Sequence, residues 1–304
     1  MASKFERFNQ TDLVFKTIGN TPLIASVLVP KTVQSGKRPL LVHFHGGGLI
    51  VGDRMYETWF ALWMLQYAES EGAIIVSPDY RLIPEATGTD VLTDVEDFWD
   101  WVRDSFPAKV SGISSGLSLD LSRLAVTGES AGGFLSLQSA FLFPELDIKL
   151  VMVQYGTLDL EHHLYNSPPA VPPAADNELV EQFLKRIQPG DIRLSSPPPK
   201  NWDFCLAVLS TGRHRELMGS DERMLLARNL KAAKKLPAVW FCQGEEDEIM
   251  PLQVAKDVVG MVRKHHPTVP VHFSIQPGPH GFDLLFGTEE PWVKEGLAFT
   301  KQYW

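Results

Sequence analysis

Apolar positions alternate with polar ones in the first segments of the chain, residues 12–18 and 21–29, which predicts two edge strands joined by a turn at Gly19 and Asn20. The pattern then changes. Residues 40–44, 73–77, 123–127, 150–154, 238–242 and 271–275 are short apolar or β-branched runs, mostly too apolar on both faces to be half-exposed, as expected of buried parallel strands. Between and after them, residues 57–68, 90–103, 131–143, 222–235, 252–264 and 292–301 have helical period and length. Strand and helix in alternation predict the α/β class, a mostly parallel sheet with helices on both faces.

One stretch, residues 159–221, breaks the alternation. It holds two proline clusters, at 167–173 and 195–199, and predicts only one or two short helices, such as 178–187. Its Leu179, Phe183, Trp202, Phe204, Leu206 and Leu209 supply apolar surface that can dock on a neighbour. So long a connection in a compact domain is usually a functional lid. The expected organisation is therefore one catalytic domain of residues 1–158 and 222–304, with 159–221 as a cap inserted after the strand at 150–154. Residues 1–10 have room to contribute to that cap.

The strongest chemical signal is Gly128-Glu-Ser-Ala-Gly-Gly133, placed between a strand and a helix. It satisfies G-x-S-x-G in the context where a serine is held on a tight turn that only small neighbours permit. The helix amino terminus then aims its free N–H groups at the same place. A second glycine loop, His45-Gly-Gly-Gly48, also follows a strand and can turn backbone N–H groups toward a developing negative charge. His45 itself reads as a structural residue that fixes this loop.

A serine hydroxyl is a poor nucleophile unless a histidine takes its proton and a carboxylate orients that histidine. Downstream of Ser130, two loops at the carboxyl ends of strands carry such residues: Gly244-Glu-Glu-Asp-Glu-Ile249 and Pro277-Gly-Pro-His-Gly-Phe282. Asp247 and His280 are the assigned partners, with Glu245, Glu246 and Glu248 as acidic competitors. His162 and His163 fall in the cap, where they could at most touch substrate; His265 and His266 end a helix, and His272 lies in a strand.

Together with Asp79-Tyr-Arg-Leu82, these motifs make the chain, from about residue 38 to its carboxyl terminus, resemble the hormone-sensitive-lipase-like (HGGG) carboxylesterases of the α/β-hydrolase fold, and fungal members among them. The resemblance implies that the backbone N–H groups of Gly47, Gly48 and Ala131 form an oxyanion hole, that Asp79-Tyr-Arg-Leu82 does scaffold duty, and that Asp94 and Trp101 lie on the helix that follows. Three departures bear on specificity: a short amino-terminal region, Ala86-Thr-Gly-Thr89 in place of the usual proline- and aromatic-containing stretch, and Leu49 where phenylalanine is frequent. Expected pocket residues are Leu49, Tyr155, Trp202, Phe204 and Phe282.

Charge narrows the partner. Lys and Arg total 28 against 37 Asp and Glu, a net charge of −9 over 304 residues, which disfavours nucleic acid and anionic membranes. Two cysteines, Cys205 and Cys242, are too few for a disulfide framework, and the amino terminus lacks a secretory h-region, so a cytoplasmic protein without a membrane span is expected. Neither H-E-x-x-H nor C-x-x-C is present, so no metal or other cofactor is expected. The expected activity is hydrolysis of a small or medium apolar ester or thioester through an acyl-enzyme on Ser130. The alternatives are acyl transfer or chain release by the same serine in secondary metabolism, and a non-catalytic receptor. A homodimer is the expected higher assembly.

Overall fold

The computed structural model describes residues 3–166 and 174–304; the first proline cluster lies outside the described residues. Eight strands, β1 (Phe8–Ile18), β2 (Thr21–Pro30), β3 (Gly36–Phe44), β4 (Ile74–Pro78), β5 (Leu117–Glu129), β6 (Leu150–Gln154), β7 (Ala238–Gly244) and β8 (Val271–Gln276), form one sheet in the order β1-β2-β4-β3-β5-β6-β7-β8. β1 pairs antiparallel with β2, and β2 antiparallel with β4; every other pairing is parallel. Only β1 of the first two strands is an edge, because β2 is paired on both sides. That corrects the expectation of two edge strands; residues 25–30 are buried without alternation because Ala25, Val27 and Val29 enter one core and Leu28 the other.

The central strands are apolar on both faces because both are covered. Leu40, Val42, Ile74, Val76, Val126, Val151, Val153, Val239 and Phe241 point into one core with helices α2 (Gly88–Asp104), α3 (Phe106–Ile113), α4 (Ala131–Leu142) and α10 (Leu252–His265). Their neighbours Leu41, Ile75, Ala125, Leu150, Met152, Ala238, Trp240 and Cys242 enter a second core with α1 (Leu62–Ser70) and α11 (Pro291–Thr300). Alternate residues of one strand thus serve opposite layers.

Two predicted helices are shorter than expected. The 57–68 segment opens with a separate single turn at Glu57–Trp59 before α1, and 222–235 resolves into a turn at Glu222–Met224 and α9 (Leu226–Ala232). β5 begins well before the expected residue 123, pairing from Leu117 with Gly36; the register shifts after Pro39, and the half-exposed residues 118–123 hid this portion from an apolar-run reading.

The connection between β6 and β7 is more helical than its proline content suggests. It holds α5 (His163–Asn166), α6 (Ala174–Leu184), α7 (Trp202–Ser210) and α8 (His214–Met218) before α9. At the amino terminus, Lys4 Nζ donates to Thr58 O, Phe60 O and Leu284 O, tying the residues before β1 to the loop after β8. Among the described residues no helix is long and apolar enough to cross a membrane.

Candidate active site

Ser130 is the turn between β5 and α4, with φ 54° and ψ −123°, a region that serine adopts only under constraint. The constraint is close packing of glycines. A Cβ on Gly132 would stand 1.9 Å from Phe44 O, one on Gly128 2.4 Å from the Gly132 carbonyl carbon, and one on Gly156 2.5 Å from both Ser130 O and Gly133 Cα. Ser130 N donates to Gln154 O at 2.8 Å, which locks the turn against β6. Ala131 is the first residue of α4, so its N–H belongs to the orphan donors of a helix start.

The second turn lies alongside. Glu129 reaches back from the end of β5, where one carboxylate oxygen accepts Gly46 N–H at 2.7 Å and the other pairs with His43 Nε2 at 2.8 Å. His45 is buried; its Nδ1 faces Gly46 O at 2.8 Å, and its ring stacks on Tyr80 at 4.3 Å. It fixes the loop, as the sequence suggested. Gly47 and Gly48 follow with φ 97° and 64°, and among the described residues neither N–H has a partner. The Asp79 segment is scaffold: Asp79 accepts from Ile24 N and Arg54, and Arg81 is held by Asp90 and Asp94.

His45 carries a pH dependence. Burial pushes its pKa from 6.5 down to about 4, so between those values the unfolded chain binds more protons than the folded one. The stability that His45 contributes is therefore complete above pH 6.5 and is lost as pH falls toward 4. Urea unfolding at pH 7 and pH 5 should show the wild type losing about 2 kcal/mol more than His45→Gln, at about 1.36 kcal/mol per pKa unit. Equal losses in the two proteins would contradict this.

At the next strand end, Asp247 is buried and fully engaged. Its Oδ1 accepts Ile249 N at 2.9 Å and Met250 N at 2.8 Å, while Oδ2 accepts Gln243 Nε2 and faces His280 Nδ1, each at 2.8 Å. The acidic competitors separate from it: Glu245, Glu246 and Glu248 are exposed, and Glu246 ties down the Gly278 N–H of the histidine loop. Since Asp247 is acceptor-only, His280 carries its proton on Nδ1 and leaves Nε2 as an acceptor. Tyr155, with φ 39°, sets its ring edge-on to that of His280 at 4.7 Å.

A cavity of about 230 Å³ has Gly46, Gly47, Gly48, Ser130, Ala131 and His280 in its wall. Tyr155 and Trp202, expected in the pocket, line it; Leu49, Phe204 and Phe282 do not. Leu49 turns into the core with φ 61°, Phe204 stacks on Phe183 at 3.8 Å on the far side of α7, and Phe282 packs toward Trp292 at 5.5 Å. The residues missed include Trp59, Leu158, Cys205, Leu206, Leu209, Ile249, Met250 and Leu284. Four of the wall residues, Trp202, Cys205, Leu206 and Leu209, are one face of α7, at the spacing i, i+3, i+4, i+7. Both cysteines are buried and free. His162 pairs with Asp257 at 3.0 Å and does not line the cavity.

A sheet of this order, a serine at the β5–α4 turn and a His–Asp pair at the ends of the last two strands define an α/β hydrolase. The chain belongs to that family: the family profile described as alpha/beta hydrolase fold matches residues 41–247. It is 36% identical to a probable carboxylesterase, M8, of Phoma sp., over 99% of this chain and 98% of that protein. It is also 31% identical to a segment of the non-reducing polyketide synthase pkbA of Emericella nidulans, over 51% of this chain and 6% of the synthase. Among solved structures, esterase LipW of Mycobacterium marinum superposes with a TM-score of 0.61 at 20% identity, over 97% of this chain and 80% of that one.

Proposed function

We propose that the protein is a carboxylesterase in which Ser130 is the nucleophile, His280 the general base and acid, and Asp247 the group that orients His280. The observation that carries this is the 2.8 Å pair of His280 Nδ1 and Asp247 Oδ2, with His280 and Ser130 in the wall of one cavity. His280 Nε2 takes the Ser130 proton as the oxygen attacks the ester carbonyl. The N–H groups of Gly47, Gly48 and Ala131 hold the tetrahedral oxyanion, and the alcohol leaves with the proton from His280. Water, deprotonated by His280, then attacks the acyl-enzyme and releases the acid. Likeness to a full-length probable carboxylesterase supports the same reading.

The β6–β7 connection acts as a cap in this reading, and its apolar inner face suits small or medium neutral acyl groups. A cavity of about 230 Å³ lies below the range of about 300–1,000 Å³ typical of larger ligands. The test is a panel of p-nitrophenyl esters of increasing acyl length against wild type and Ser130→Ala. Activity should be highest on short and medium chains and absent from the variant; equal rates in both proteins would overturn the assignment. Trp202→Ala should raise the ratio of kcat/KM for octanoate over butyrate by about tenfold, since pocket fit to one methylene is worth about 10-fold or more. An unchanged ratio would remove Trp202 from the pocket wall.

A second reading, transfer of the acyl group from Ser130 to an alcohol, amine or thiol in place of water, is favoured by the likeness to a segment of a polyketide synthase. Product analysis with and without added alcohol separates the two, because only transfer gives a new ester.

A further inference from the structure

Asp247 is gripped by four donors, as many as its two oxygens have acceptor positions. Three of them come from loops: Ile249 N and Met250 N belong to the acid's own turn, and His280 Nδ1 to the loop after β8. The fourth, Gln243 Nε2, stands on β7, whose backbone pairs with β8 at this point, Gln243 opposite Ile275. It reaches Asp247 Oδ2 at 2.8 Å, the same oxygen that faces His280. Its amide also donates to Met250 O at 2.8 Å, so one side chain closes both ends of the turn that runs from the acid to a residue of the cavity wall. The surroundings set the direction of the amide: both partners are acceptors, and among the described residues Gln243 Oε1 has no partner that would call for the flipped form. Gln243 is 1% exposed and the Asp247 side chain is fully buried, so a donor lost here is not replaced from bulk water.

We propose that Gln243 is a positioning residue for the proton transfer, fixing the plane of the Asp247 carboxylate from β7 and, through Oδ2, the ring of His280. Rotation about the Asp247 Cβ–Cγ bond moves both carboxylate oxygens together. The donors on Oδ1 lie two and three residues further along the same turn and shift when it shifts, while His280 is carried between Gly278 and Gly281 on a loop. Gln243 refers Oδ2 directly to the sheet. That matters during turnover, because the ring becomes a cation when it takes the Ser130 proton, with its Nδ1–H still on Oδ2, and the oxygen must hold its place as that charge develops. Gln243 follows directly after the apolar run of residues 238–242, where a reading of hydrophobic pattern passes over it.

This inference rests on the esterase reading, and one set of assays distinguishes their failures. Wild type, Ser130→Ala, Gln243→Met, Asp247→Asn and the double variant carrying both Gln243→Met and Asp247→Asn are compared on one short p-nitrophenyl ester. Gln243→Met keeps the length of the side chain and removes its donors. It should lose about 10- to 30-fold in kcat, the scale of one hydrogen bond to a charged group, with KM within about threefold. In the Asp247→Asn background the same substitution should change kcat by less than about threefold, because no carboxylate is left to position. A packing role would instead lower both backgrounds alike. Unchanged kcat in folded Gln243→Met, or equal losses in the two backgrounds, overturns the positioning role while the Ser130-dependent activity stands. Wild-type turnover that survives Ser130→Ala overturns the esterase reading and the inference with it. Should Gln243→Met not fold, NMR of the Gln243 side-chain amide decides: both Hε2 protons should be protected from exchange in the wild type and shift in Asp247→Asn, and rapid exchange or an absent shift contradicts the proposal.

Discussion

Replacing Ser130 with alanine is expected to reduce kcat on any ester the protein cleaves by about a millionfold, the loss that removing a serine nucleophile costs where triads have been dissected. The backbone should tolerate the change. The positive φ of Ser130 is imposed by contacts around Gly128, Gly132 and Gly156 and by the Ser130 N to Gln154 O bond, none of which uses the hydroxyl. Thermal unfolding of the variant should therefore match the wild type within a few degrees, so that lost turnover reports lost chemistry. Residual activity within about tenfold of wild type would place the nucleophile elsewhere.

Asp247→Asn is expected to lower kcat by about 10,000-fold with a smaller effect on KM. The carboxylate accepts on both oxygens, and Oδ2 receives both Gln243 Nε2 and the His280 ring. An amide keeping Oδ1 on Ile249 N and Met250 N must put its NH₂ where those two donors point. Donor then faces donor, and His280 escapes by moving its proton to Nε2, which removes the acceptor that Ser130 needs. Part of the activity should return above neutral pH if hydroxide replaces the base; a variant as active as wild type would show that Asp247 does not orient His280.

The framework was legible because its signals are periodic. Runs such as residues 150–153 are apolar at every position only when both sheet faces are buried; each of the six runs is a strand, and the last of them, β8, is the half-buried edge of the sheet. The triad candidates were legible for a related reason: Ser130, Asp247 and His280 each follow such a run, and the strand ends share one edge of a parallel sheet. Residues whose meaning depends on facing were not legible. Residues 202–209 are apolar nearly all round, so nothing in their order says that Trp202, Cys205, Leu206 and Leu209 face the cavity while Phe204 faces Phe183. Leu49 follows the glycine loop in sequence but turns inward because its backbone takes a left-handed conformation. Glu129 stands at the free position of G-x-S-x-G, and its grip on Gly46 N–H appears only when β3 and β5 lie side by side. His214, 166 positions along the chain from the Gly48 carbonyl it meets, gives no local signal at all.

The proton inventory also bears on working conditions. His45 and His214 are both held neutral by burial, with pKa values near 4, so acid should weaken the glycine loop from two sides as pH falls below 6.5.

The central claim is that Ser130 becomes covalently acylated, and the most direct measurement is intact-protein and peptide mass spectrometry after reaction with a fluorophosphonate. The account predicts a single adduct, located on the peptide that carries Ser130, lost in Ser130→Ala and formed far more slowly in His280→Ala. An adduct that forms equally well on Ser130→Ala, or that maps to another residue of the wild type, would contradict it.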